Sequence, residues 1–159
     1  MIDARLPLLV GLLLAIPSAA YAQSPRAQPQ RVTPEARIDA ILALPEALHA
    51  GLGIMFNTGT YLRSGVVAGV GASRDGLSGR IDGVARFHLD PFREHRWAPY
   101  GGGGLTIRFD EDRRRRPYLL LLAGIDGPVK GGLTTSFEAA LGGGGRIGVI
   151  IRRGAAERR

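Results

Sequence analysis

From Leu48 to Arg153 apolar residues return at every second position, segment after segment, and no stretch of comparable length carries a 3.6-residue period. A period of two puts alternate side chains on opposite faces of a strand, so this pattern confines the chain to sheet structure. Leu48, Ala50, Leu52, Ile54 and Phe56 share one face, and His49, Gly51, Gly53, Met55 and Asn57 the other. The alternation repeats over 61–72 and is cleanest over 80–90, where Ile81, Gly83, Ala85, Phe87 and Leu89 oppose Asp82, Val84, Arg86 and His88. It continues over 97–109, Tyr118 to Asp126, Thr134 to Leu141 and Arg146 to Arg153. Turn chemistry separates the segments: Asn57-Thr58-Gly59, Ser73-Arg74-Asp75-Gly76, Asp126-Gly127-Pro128, and a charged stretch 110–116 read as a loop. No helix is long enough for a parallel crossover, so the strands pair antiparallel in sequence order. The fold class is all-β, an antiparallel up-and-down meander closing into a small barrel of seven or eight strands.

The barrel domain is expected over 47–153. Residues 1–22 read as a secretory signal, with Arg5 before an apolar run from Leu6 to Ile16 and Ala20-Tyr21-Ala22 as the small-x-small cleavage site. That run is shorter than the roughly 20 residues a spanning helix needs. Residues 23–46 read as a flexible leader. Within it, 35–46 fits either a short helix after Thr33 or a first strand, since Ile38, Ala40, Leu42 and Leu44 also alternate. Residues 154–159 form a basic tail.

Export and the absence of cysteine exclude a disulfide framework and thiolate chemistry. The net charge of +7 would suit nucleic acid in another compartment. On an exported surface it points to membrane lipids or lipopolysaccharide, with no nucleic acid. A small-molecule ligand is not identified by any motif. The glycine runs 101–104 and 142–145 lack a following Lys-Ser/Thr and read as strand glycines, not phosphate loops. His49, His88 and His95 have no metal-ligand spacing, and neither a metal nor a cofactor is expected. Ser78, Asp82 and His88 spread over ~33 Å of one strand, too far to converge on a reacting atom, so no catalytic site is expected.

Alternation does not say which face is wet. Strand lengths of about 9 to 13 residues match the ~9–11 of a tilted membrane strand. Trp97 and Phe109 bracket one apolar face as a girdle would, and small residues crowd the polar face. Tyr61-x-Arg63, the run Ala85 to Phe92, and Trp97-x-Pro99-Tyr100 before the glycines resemble the small outer-membrane β-barrel proteins, in particular the eight-stranded barrel of outer-membrane protein A. The resemblance covers 47–153 and implies an outer-membrane structural or surface-interaction protein without a catalytic site. The alternative is a soluble periplasmic or secreted barrel that binds an apolar small molecule or lipid. If the polar face lines the lumen, Arg86 needs a carboxylate partner. Glu138 is expected to supply it, with Asp82 assisting; Arg63, Arg80, Arg108, Arg146 and Arg152, near strand ends, are expected to reach water or head groups.

Overall fold

The computed structural model describes residues 32–42, 46–74, 76–110 and 113–153, so the signal, most of the leader and the basic tail lie outside the described residues. Eight strands follow one another: β1 Val32–Ile41, β2 Ala47–Asn57, β3 Leu62–Ser73, β4 Gly76–His88, β5 Ala98–Asp110, β6 Arg113–Lys130, β7 Leu133–Leu141 and β8 Gly145–Arg153. Each pairs antiparallel with the next, and β8 closes on β1 through seven residue pairs from Glu35↔Arg152 to Ile41↔Arg146. Closure leaves no free edge along the shared height of the strands, which is how an all-β chain without a covering helix avoids edge pairing.

Four sequence expectations change. The segment left open between helix and strand is strand β1, and it starts at Val32, so the barrel begins some fifteen residues before the expected 47. Glu35, Arg37 and Asp39 alternate strictly with Ala36, Ile38 and Ala40, and two flanking edges, β2 and β8, supply the hydrogen bonds that fix it. The charged stretch is not wholly loop: β6 starts at Arg113, and the backbone of 113–116 pairs with β5 through Asp110↔Arg113 and Arg108↔Arg116. The β7 pairing of β6 stops at Leu121↔Leu141, so this extension has an edge with no β7 partner. Arg115 and Pro117 on such an edge discourage further strand addition. Third, Asp126-Gly127-Pro128 is no turn; the register shifts there and β6 runs on to Lys130, with Gly131 and Gly132 at positive φ making the turn. Fourth, Gly142 to Gly144 form the β7–β8 turn instead of strand, with Gly143 at φ 67°.

The meander puts the ends of β1 and β8 and the connections 58–61, 89–97 and 131–132 at one end of the barrel, the terminal end. The strand ends Ile41, Ala47, Ser73, Gly76, Asp110, Arg113, Leu141 and Gly145 sit at the opposite, far end, with the turn 142–144. In the longest connection Asp90 accepts from the backbone N–H groups of His95 (2.8 Å) and Glu94 (3.0 Å), which hold its carboxyl below the usual carboxylate range. Arg93, at φ 58°, turns back over the barrel end and donates to Asp126 at 3.2 Å.

Candidate functional site

The two faces of the barrel divide as the period dictates, with the apolar face outside. Ile38, Leu52, Val66, Ile81, Leu105, Leu119, Phe137 and Val149, one from each strand in order, are all exposed. At the terminal end Phe56, Tyr61, Phe87, Phe92 and Trp97 are also exposed, with Tyr61 stacked on Phe87 at 5.6 Å between centroids. An apolar surface that encircles the molecule far exceeds the isolated patches of an ordinary soluble protein.

The inside holds the charges. Glu35, Arg37, Asp39, Arg80, Asp82, Arg86, Asp126, Glu138, Arg146 and Arg152 are buried. They form three linked tiers. In the middle tier the Arg86 guanidinium donates to both oxygens of Glu35 (Nη1 to Oε2 2.7 Å, Nη2 to Oε1 3.1 Å), and its Nε donates to Glu138 Oε2 at 2.9 Å. Arg37 Nη2 donates to the other oxygen of Glu138 at 2.8 Å, and Tyr100 Oη donates to Glu138 at 3.2 Å. Toward the far end Asp39 takes Arg37 through both oxygens (2.8 and 2.6 Å) and also Arg80, while Asp82 takes Arg146 at 2.7 Å and the Thr106 hydroxyl. Toward the terminal end Asp126 collects Arg152, Arg93 and the Ser136 hydroxyl. A charge removed from water needs this density of charge-assisted bonds to be tolerated.

Of the residues expected from sequence, Arg86 and Glu138 meet directly. Asp82 does not join them. It lies four residues from Arg86 along one strand, ~13 Å of rise, beyond the reach of one guanidinium, and serves Arg146 and Arg80 instead (Arg80 Nε at 3.6 Å). Arg80, Arg108, Arg146 and Arg152 do not extend to water as expected; they are buried, because the lumen offers carboxylates and carbonyls nearer than solvent. The charged residues missed were Glu35, Arg37 and Asp39 on β1, and Asp126 on β6, which the sequence reads as part of a turn.

Glycine makes the room. Gly53 lies against the Glu35 side chain, Gly51 against Arg37, Gly148 against Asp39 and Gly124 against the Tyr100 ring; a Cβ at any of them would collide. The rest of the lumen is filled by Met55, Val67, Val84, Tyr100, Leu120, Leu122 and Ala140. An interior filled by side chains is normal for eight strands.

One contact has the look of chemistry: His49 Nε2 and Ser78 Oγ share a hydrogen bond of 2.5 Å. Both are buried, and the neighbouring inward carboxylate, Asp39, is committed to Arg37 and Arg80. The contact satisfies two buried polar groups. No group of three or more His, Asp or Glu suited to a metal occurs among the described residues.

No family model matches the chain, and no curated protein does. Solved structures do. The N-terminal β-barrel domain of OprF from Pseudomonas aeruginosa superposes with a TM-score of 0.56 at 12% identity, covering 76% of this chain and 96% of that one. Neisserial surface protein A gives 0.53 at 14% identity, covering 77% and 94%. A de novo designed transmembrane β-barrel gives 0.55 at 15% identity, covering 80% and 97%. At these identities the likeness is one of fold: an eight-stranded barrel of the outer-membrane type.

Proposed function

We propose that this chain is an exported outer-membrane barrel with a structural role in the envelope, contacting lipid and lipopolysaccharide through its wall and rims and carrying no catalytic site. The observation behind this reading is the inverted partition, with an apolar belt outside and a tiered ionic network inside. In water such a belt would be a large exposed hydrophobic surface, while in a bilayer it is the only surface a closed barrel can show. A soluble barrel for an apolar ligand calls for the reverse, an apolar lumen with space in it. The connections at both ends are short, the longest being 89–97. Recognition by long projecting loops is therefore a poorer fit than contact with headgroups. Basic side chains near the rims, Arg115 at the far end and Lys130 and Arg153 at the terminal end, suit phosphate-bearing headgroups.

The chain has no cysteine, so single-cysteine labelling is unambiguous. A fluorophore at Leu119→Cys, an outward site 79% exposed, is expected to be quenched by brominated lipid, and one at Glu94→Cys by aqueous iodide. A chain that folds in plain buffer, with the label at 119 open to iodide and untouched by brominated lipid, would refute membrane embedding.

A further inference from the structure

At the far end of the lumen three arginines from different strands converge. Arg80 of β4, Arg108 of β5 and Arg146 of β8 line one cavity of about 10 Å³, whose wall also includes Ile41, Thr106, Leu120 and the turn glycines Gly142 and Gly144. All three are buried, at 2, 9 and 7% exposure. Like charges do not gather out of water without something between them. The carboxylates facing the cavity are already engaged: Asp39 by Arg37 and Arg80, Asp82 by Arg146 and Thr106. Arg108 Nη1 donates to the Gly143 carbonyl at 3.1 Å. Donors are left over even so. Arg80 Nη1 and Arg146 Nε are buried and donate no hydrogen bond among the described residues, and Arg146 Nη2 has Glu138 Oε1 only at 3.8 Å.

We propose that this cavity is a binding site for a single monoatomic anion of the halide class, with chloride its ordinary occupant. Size selects the class. About 10 Å³ accepts one water-sized group, which excludes phosphate, sulfate or a carboxylate-bearing ligand. Charge selects an anion over water, because Asp39 and Asp82 are shared among Arg37, Arg80 and Arg146, with Arg108 in addition, and a neutral molecule would leave that excess of positive charge in place. Arginine suits such a site, since its charge is permanent and its N–H groups are held in a fixed fork. The anion would lock β4, β5 and β8 together at the end of the barrel where β6 runs past its β7 pairing, acting as a stabilising ligand that binds the folded barrel alone.

The full-length chain, refolded in detergent micelles and freed of halide against gluconate, is titrated with sodium chloride at constant ionic strength, gluconate making up the balance. The melting midpoint is expected to rise and saturate with chloride and with bromide. Arg108→Met, which removes one charged donor from the cavity wall, is expected to need about tenfold more chloride for the same half-effect. A midpoint indifferent to chloride, or an Arg108→Met titration superimposable on the parent's, would overturn the proposal. Should that variant not fold, anomalous scattering from crystals of the parent chain grown in bromide decides it: a peak between the guanidinium groups of Arg80, Arg108 and Arg146 supports the site, and its absence refutes it.

Discussion

The central guanidinium offers the sharpest test of how the lumen is held together. Arg86 makes two bonds to Glu35, one to Glu138 and none to Asp82, and it is fully buried. Replacing it with Met keeps the bulk and removes three charge-assisted bonds, leaving Glu35 and Glu138 short of a partner in low dielectric. Loss of one member of a buried pair costs about 3–5 kcal/mol. Arg37 remains on Glu138 at 2.8 Å and, more loosely, beside Glu35 at 3.8 Å, so the lower half of that range is expected. Double-mutant cycles give the pairwise values. Arg86→Met with Glu35→Gln should couple by about 2–3 kcal/mol, since two bonds of some 1.5 kcal/mol are at stake. With Glu138→Gln, about 1–2 kcal/mol is expected, one bond being involved. With Asp82→Asn the coupling should fall within ~0.5 kcal/mol of zero, as for residues without a shared contact. Urea-driven unfolding from lipid vesicles, followed through the single tryptophan, Trp97, measures all three. A coupling to Asp82 equal to that with Glu35, or three couplings near zero, would mean that the tiers described do not exist.

Two further perturbations separate the wall from the lumen. Leu119 faces out and pairs with Leu105, near the middle of β5, so Leu119→Arg should destabilise the vesicle-embedded barrel by about 2–4 kcal/mol, whereas a barrel living in water would lose nothing measurable by the same unfolding assay. Gly148 and Gly83 give opposite responses to one methyl group. At Gly148 it would collide with the Asp39 carboxylate and cost about 1–3 kcal/mol of overpacking, while Gly83 has nothing within 4 Å, and Gly83→Ala should be neutral or stabilising by about 0.4–1 kcal/mol in paired melts.

Period two carried most of the fold, because a strand that is wet on one face and greasy on the other must alternate whichever side is lipid. Which face pointed inward rested on weaker cues, chiefly glycine crowding among Gly51, Gly53 and Gly65; those glycines stand beside Arg37, Glu35 and Met55, the bulky lumen side chains they accommodate. The charged stretch over 110–116 misled because polarity reads as loop, and the backbone partner that makes Arg113–Arg116 a strand, the end of β5, is a tertiary fact. The Arg86–Glu138 contact was legible because both residues sit mid-strand on the polar face. Its third member was not, because Asp82 stands ~13 Å along the strand from Arg86, while the carboxylate that does reach it, Glu35, comes from a segment that sequence alone leaves between helix and strand.

Strand β1 ties the missed residues to the missed boundary, and this yields the last prediction. A barrel starting at 47, where the uninterrupted alternation starts, lacks Glu35, Arg37 and Asp39. Arg86 then keeps one of its three bonds and Arg80 loses Asp39, while β2 and β8 each lose the strand between them. Two open edges in a bilayer leave backbone N–H and C=O groups unpaired at several kcal/mol apiece, a deficit no compensating contact on this chain could offset. Closing β2 directly on β8 would not repair it, since the lumen of a seven-stranded barrel would hold an excess of arginine over carboxylate. Chains spanning 32–153 and 47–153, refolded side by side into the same vesicles and run unheated on gels, should therefore differ completely. The longer chain is expected to migrate as a compact, protease-resistant species and the shorter as unfolded protein. A shorter chain that refolds to an equally compact, heat-sensitive barrel would show that neither the ionic tiers nor closure depends on β1.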